Sequence, residues 1–205
     1  MLSATGLISR LNLAEKADNG MLSIVPQPNL EEIAATGAAS VDLRLGRWFR
    51  TLRPTRTAHL NMKPASAVAD PKDKLIHTKE HFVRFGEPFI LHPSNFVLGI
   101  TLEWMRLPSD LAGYVTGKSS LGRRGLIIET AAGIQPGFSG CLALELSNVG
   151  EVPIALLPGM LICQIFLHEV GPDPKFAKSQ FAGRRKPILG TVKSDPILDK
   201  LTLRI

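Results

Sequence analysis

The sequence predicts an all-β fold, a barrel or sandwich around one core, and three observations predict it. Short apolar runs recur at near-regular spacing from Leu75 to Phe166, turns rich in Pro and Gly separate them, and Ser40 to Leu45 alternates polar with apolar residues at period two. With 205 residues, 44% of them hydrophobic, the chain can bury one complete core. One domain over about residues 1–170 with a trailing arm over 171–205 is therefore expected.

The elements follow in chain order. Between Ser3 and Asn19, Leu7, Ile8, Leu11 and Leu13 fall at roughly helical spacing, with Ser3 or Thr5 as a cap and Asn19-Gly20 as a stop, which predicts a short N-terminal helix. Leu22 to Val25 is a brief apolar run before Pro26 and Pro28, and Ser40 to Leu45 reads as a half-buried strand. Residues 63–74 mix Ala, Pro, Asp and Lys without periodicity and predict a surface loop. Strands are then expected at Phe82–Phe85, Phe89–Leu91, Phe96–Leu102, Leu111–Val115, Leu126–Ile128, Cys141–Leu146, Ile154–Leu157 and Met160–Phe166. The breaks between them include Gly86-Glu87-Pro88, His92-Pro93-Ser94-Asn95, Gln135-Pro136-Gly137 and Leu157-Pro158-Gly159. From Gly171 the apolar pattern fades among Pro172, Pro174 and Pro187, returning weakly at Ile197 to Ile205, so the tail is read as a mobile arm. No internal repeat or low-complexity segment occurs.

Composition narrows the function classes. No window approaches the roughly 18 apolar residues of a membrane span, and Asn12, Glu15 and Lys16 interrupt the N-terminal run where a secretory leader would be apolar. A soluble cytoplasmic protein without a membrane partner is expected. Cys141 and Cys163 lie in apolar runs and read as small buried hydrophobes. The net charge of +6 is dispersed, with one dense cluster at Arg184-Arg185-Lys186 and few aromatics, which fits a small polyanionic ligand better than a nucleic-acid polymer.

Chemistry concentrates in Gly117-Lys118-Ser119-Ser120-Leu121-Gly122-Arg123-Arg124-Gly125-Leu126. Two hydroxyls, three cations and flexible backbone within one polar turn supply the donors that phosphate oxygens require. Glu145 sits in Leu142-Ala143-Leu144-Glu145-Leu146, opposite the leucines by strand alternation. It is either a solvated outward residue or, if that face lines a pocket, a candidate general base or acid; spacing alone leaves both open. His77-Thr78-Lys79-Glu80-His81 matches a zinc-peptidase pattern, but that chemistry needs both imidazoles on one helical face, and the flanks here look like strands. The zinc signature of nucleobase deaminases is absent, so no zinc is expected. His59, His92 and His168 have no partner pattern.

The Gly117 to Leu126 stretch resembles the Gly-Arg-Ser-Ser-Leu-x-Arg-x-Gly-Leu signature of dCTP deaminases, relatives of the trimeric dUTPases. Ala39 to Gly46, Leu91-His92-Pro93, Thr130-Ala131, Pro136 to Gly140, Leu144-Glu145-Leu146 and Leu157 to Met160 look like further family blocks in the family's order, so the resemblance covers about Leu22 to Lys186. It implies a distorted jelly-roll β-barrel of the dUTPase-like type, a homotrimer with sites between subunits, and Mg²⁺ arriving with the triphosphate. It implies that Glu145 takes a proton from water and passes it to cytosine N3. Arg123 and Ser119 would orient the water and the 4-substituent, and Ser119 with Lys118 and Ser120 would contact phosphate. Thr130 and Ile134 would grip the base through their backbone, Phe138 would lie beneath the sugar, and the C-terminal arm, with Gln180 and Arg184, would close over the site. The activity so implied is deamination of a deoxycytidine nucleotide, dCTP to dUTP and ammonia.

Four departures from the family pattern bear on substrate and product. Gln135 stands where the family usually has Asp, which in dUTPases handles the water that attacks phosphorus, and its loss argues against diphosphatase activity. In the closing segment Gln180 replaces a cation, Arg184 replaces Gln and Lys186 replaces Gly. These changes leave open dCMP, dCDP or a modified cytosine nucleotide as substrate. They also leave a bifunctional enzyme forming dUMP, or a nucleotide-binding regulator with weak chemistry, as alternatives.

Overall fold

The computed structural model describes residues 1–12, 21–53, 78–129, 133–171, 180–190 and 195–202. The expected loop over 63–74 and the residues Thr130 and His77 lie outside them. The N-terminal helix is α1 (Ala4–Asn12); Ser3 Oγ accepts the Gly6 amide at 3.2 Å as its cap, and Leu7 is fully buried. A second helix, α2 (Leu30–Thr36), follows β1 (Ser23–Val25). Asn29 caps it by accepting from the amides of Glu31 and Glu32, both in the dipole-favoured first turn, and Gly37 closes it at φ 64°.

The strands are β2 (Ser40–Arg44), β3 (Trp48–Leu52), β4 (Thr78–Phe82), β5 (Phe89–Leu91), β6 (Phe96–Ile100), β7 (Trp104–Arg106) and β8 (Leu111–Gly117). After the short helix α3 (Ser119–Gly122) come β9 (Leu126–Glu129), β10 (Gly133–Ile134), β11 (Ser139–Gly140), β12 (Ala143–Asn148), β13 (Ile154–Leu156) and β14 (Leu161–Glu169), and α4 (Pro196–Thr202) ends the described chain. All described ladders are antiparallel and form four sheets, ordered β10-β8-β14-β2, β4-β3-β6-β12-β9, β1-β7-β11 and β13-β5. The apolar positions of the two larger sheets meet in one core: Val41, Leu43, Val115, Ile165 and Leu167 from one, Phe49, Val97, Leu144 and Leu146 from the other. This is a distorted jelly roll, with its ladders split into separate sheets.

Three observations refine the sequence reading. The polar turn after β8 contains a helical turn, because Ser119 and Lys118 carbonyls accept from Arg123 and Gly122 amides. Glu80 and His81 are consecutive residues of a strand, so they point to opposite faces; Glu80 binds Arg50 and Lys186, while His81 Nε2 lies 2.9 Å from Thr51 Oγ1. The helical geometry of a zinc peptidase is thus not built here. The two cysteines are buried free thiols, and burial pushes them up to about 11 for Cys141 and about 12 for Cys163, which keeps both protonated and inert. No helix among the described residues is long and apolar enough to cross a membrane.

Candidate active site

The residues singled out by sequence fall into two groups at different places on the chain. The first group is the turn between β8 and β9. Lys118 begins α3 with extended backbone; its amide donates to Ile162 O at 3.2 Å and its Nζ lies 2.5 Å from Asp42 Oδ2 on β2. Ser119, Ser120 and Arg123 are exposed on the helical turn, and Arg124 Nη1 caps the Ser120 carbonyl at 2.6 Å. The turn ends at Gly125, whose φ of 87° suits glycine and whose missing Cβ would lie 2.9 Å from the Gly150 amide nitrogen. Beneath it, Asn148 is fully buried and fully used: its amide group donates to Leu91 O and Val152 O, and its Oδ1 accepts from Gly150 N. Gly125 O in turn accepts from Val149 N at 2.9 Å. The exposed serines and arginine therefore stand on a rigid base.

The second group surrounds β12. Glu145 is half-buried on the face opposite Leu144 and Leu146, both fully buried, and pairs with Leu98 on β6 and Glu129 on β9. Continuing the same row, Leu98 pairs with Arg50 and Arg50 with Glu80, so one outward stripe of the five-stranded sheet carries Glu80, Arg50, Leu98, Glu145 and Glu129. Ile134 is buried on β10 opposite Gly113, Gln135 is exposed, and its carbonyl accepts the Phe138 amide at 3.2 Å across the turn. Phe138 is 9% exposed and belongs to the core cluster in the single chain. Arg184 is exposed, its carbonyl accepting from Cys141 N at 2.9 Å just ahead of β12. Gln180 is exposed at the start of the described C-terminal segment, near Gly190.

Strand register separates the groups. Asn148 pairs with Leu126, next to the serine turn, while Glu145 lies three residues further along β12. At ~3.3 Å per residue that is a backbone offset of about 10 Å along the strand. Among the described residues no hydrogen bond or ion pair joins Glu145 to Ser119 or Arg123.

Sequence reasoning missed Asp42 as the partner of Lys118, although a carboxylate inside an alternating strand was a visible signal. It also missed Glu103, a carboxylate 5% exposed between β6 and β7 that accepts from Arg44 N at 2.9 Å. Desolvation holds the Glu103 carboxyl above its usual range, opposed by the Arg44 amide bond and charge. Glu103, Asp42, Arg44, Lys118 and Gln164 line a cleft of about 590 Å³ under α2, which reaches the serine turn only through Lys118.

The profile of the family described as dCTP deaminase-like matches residues 7–170. A protein of Mycolicibacterium vanbaalenii named "dCTP deaminase, dUMP-forming" is 52% identical over 158 residues, covering 73% of this chain and 78% of that relative. One of Nocardia farcinica with the same name is 42% identical over 188 residues, covering 88% of each. Among solved structures, the 2′-deoxycytidine 5′-triphosphate deaminase of Agrobacterium tumefaciens superposes with a TM-score of 0.57 at 24% identity. That likeness supports the fold and covers 83% of this chain, which spans about half (47%) of the solved chain's length. Built on this jelly roll, with the serine turn after β8 and a glutamate on β12, the chain belongs to the dCTP deaminase-like family of enzymes.

Proposed function

We propose that this chain deaminates dCTP hydrolytically, releasing ammonia and dUTP. The observation that carries the reading is Glu145, half-buried on the outward face of β12 in a chain of this family. Glu145 accepts a proton from water and delivers it to cytosine N3 while the hydroxide adds to C4. The tetrahedral carbon then expels the amino group, the proton of the new C4 hydroxyl passes to the departing nitrogen to give ammonia, and the carbonyl of uracil forms. Ser119 and Arg123 hold the water and the departing nitrogen, stabilising charge with donors fixed before the reaction. Backbone at Thr130 and Ile134 holds the base, and Phe138 packs below the sugar.

Among the described residues nothing bonds Glu145 to Ser119 or Arg123 of its own chain, and in the proposed arrangement a neighbouring copy supplies them within a homotrimer with shared sites. The phosphates meet Lys118, Ser119 and Ser120, with Gln180 and Arg184 at the far end. Mg²⁺ supplies charge neutralisation of the triphosphate when bound. The residues present fit an ion held chiefly by phosphate oxygens, since Asp42, the carboxylate beside this turn, is already paired with Lys118.

Gln135 bears on the product. A carboxamide cannot take a proton from water as a carboxylate does, so cleavage of the phosphate chain lacks its base and dUTP is released. The second reading, release of dUMP and diphosphate, is favoured by the names of the relatives. Purified protein incubated with dCTP, assayed for ammonia and resolved by mass, tests both. dUTP with stoichiometric ammonia is expected, and dUMP appearing from dCTP would overturn the product assignment. Glu145→Gln should lose ammonia release by at least about a thousandfold, while general-base replacement that left turnover intact would remove the proposed base.

A further inference from the structure

Glu145 does not face outward alone. Antiparallel register sets Glu129 of β9 directly opposite it, and residues paired in this way point to the same face with Cβ atoms about 4.5–5.5 Å apart. The neighbouring pairs fix which face that is. Leu126 and Ile128 stand opposite Asn148 and Leu146, both fully buried, and Ile128 packs on Gly117 of β8, where a Cβ would lie 2.9 Å from its own. Ile127 and Glu129 therefore turn outward with Ser147 and Glu145. Glu129 is exposed and Glu145 half-buried, and on the other side of Glu145 stands Leu98, 7% exposed. The cation of this row is Arg50, which pairs with Leu98 and so lies two strand spacings, roughly 10 Å, from Glu145. It is already engaged: its Nε donates to Pro187 O at 2.8 Å and its other nitrogens to Thr78 Oγ1 and Glu80. Lys186 is engaged too, 3.3 Å from Glu80 Oε2 and over the Trp48 ring. Among the described residues neither Glu129 nor Glu145 has an ion-pair partner. Like charges set opposite each other in a sheet oppose folding, so this pair calls for a donor that the single chain does not supply.

We infer that Glu129 is a specificity-determining residue, one that accepts a hydrogen bond from the 4-amino group of cytosine and so sorts cytosine from uracil nucleotides. The inference rests on the proposed reaction, with Glu145 at N3 of the base. N3 and the 4-amino nitrogen are neighbours on one edge of cytosine, and two acceptors on adjacent strands meet such an edge side by side. The amino group carries two N–H donors. Arg123 has donors only, and Ser119, which also holds the water, accepts one of those hydrogens, so the other needs an acceptor that a carboxylate supplies. A bond to an ionised acceptor is among the stronger ones. Uracil presents an oxygen at the same position, and a carboxylate offers that oxygen only lone pairs. One side chain thus favours the substrate and disfavours the product, by attraction to the first and repulsion of the second. Glu129 immediately precedes Thr130, whose backbone is assigned to the base, so side chain and backbone read the same edge.

Glu129→Gln and Glu129→Ala test this through kcat/KM for dCTP and the dissociation constants of dCTP and dUTP, measured by rapid-mixing and calorimetric binding on the same three proteins. Each variant removes one of two facing like charges at an exposed position, so neither should unfold the chain. Glu129→Ala should lower kcat/KM for dCTP about tenfold, since an N–H of the substrate is left without its acceptor. Glu129→Gln should tighten dUTP, because a carboxamide N–H donates to the uracil oxygen, and the preference for dCTP over dUTP should fall at least about tenfold. A preference within twofold of wild type in both variants overturns the inference, and so does an equal loss of both nucleotides, which a purely structural role would give. If wild-type protein releases no ammonia from dCTP, the deamination reading fails by itself, and the ratio of the two dissociation constants still decides whether Glu129 sorts the bases.

Discussion

Replacing Asn148 with Leu keeps the number and branching of side-chain heavy atoms and removes three hydrogen bonds made by a fully buried side chain. The two carbonyls of Leu91 and Val152 lose donors, and the Gly150 amide loses its acceptor. Each buried group left unpaired costs about 1–3 kcal/mol, but carbonyls keep a second lone pair and Gly150 is only half-buried, so we count one to two full penalties. The expected loss is ~2–5 kcal/mol, a large share of the 5–15 kcal/mol that holds a domain together. With a urea slope near 2 kcal/mol/M the midpoint should fall by about 1–2.5 M. Asn148→Asp makes the comparison sharper: it keeps the acceptor for Gly150 but turns a carboxylate oxygen toward two carbonyls, so it should be less stable than Asn148→Leu at neutral pH. A consequence for function follows, since Gly125 and Gly150 are in backbone contact and Arg123 stands two residues before Gly125. A midpoint shift below about 0.3 M, or an Asp variant as stable as wild type, would refute the claim that this amide supports the serine turn.

Two further outcomes are expected. Glu103 is desolvated in the fold, so its carboxyl sits above the unfolded value of about 4.5, and the folded state binds the extra proton as pH rises past that value. The charge therefore costs stability at neutral pH and nothing well below pH 4.5; Glu103→Gln should raise the melting temperature at pH 8 and leave it unchanged near pH 3, and equal effects at both would be wrong for this cause. Asp42→Asn removes the charge that aims Lys118, so KM for dCTP should rise about three- to tenfold while KM for deoxycytidine stays level, and a fall in the dCTP value would count against Lys118 as a phosphate contact.

How far the sequence could be read depended on where each signal resides. The core strands β5, β8, β9 and β12 to β14 were legible to within a few residues, because alternation and Pro or Gly turns are properties of the local chain. The helix α2 was equally local, with Asn29 as cap, two glutamates in its first turn and Gly37 after it, and those marks identify it once attended to. The strand β3 was less visible, since Phe49 is its only core residue and its outward positions, Trp48 and Arg50, are occupied for the sake of the C-terminal segment. The serine turn announced itself because its donors are consecutive. Its partner Asp42 did not, being 76 residues away, and only the adjacency of β2, β14 and β8 brings it near: Asp42 pairs with Gln164, Gln164 with Thr116, and Lys118 follows two residues later.

Glu145 shows the limit of local reading most clearly. Alternation correctly put it on the face away from the leucines, but whether an outward face is wet depends on what lies over it, and that information is carried by other segments. Leu98 beside it is buried on the same face, and Pro187 is buried where Arg50, 137 residues away in the chain, holds its carbonyl. A strand pattern encodes two faces and cannot say which of them is a protein interior, a subunit contact or a substrate pocket. In the proposed arrangement the deciding terms are the C-terminal segment held by Arg50 and Glu80 and the serine turn that a second copy would bring, so the carboxylate on β12 would acquire its chemistry only once the chain had folded and assembled.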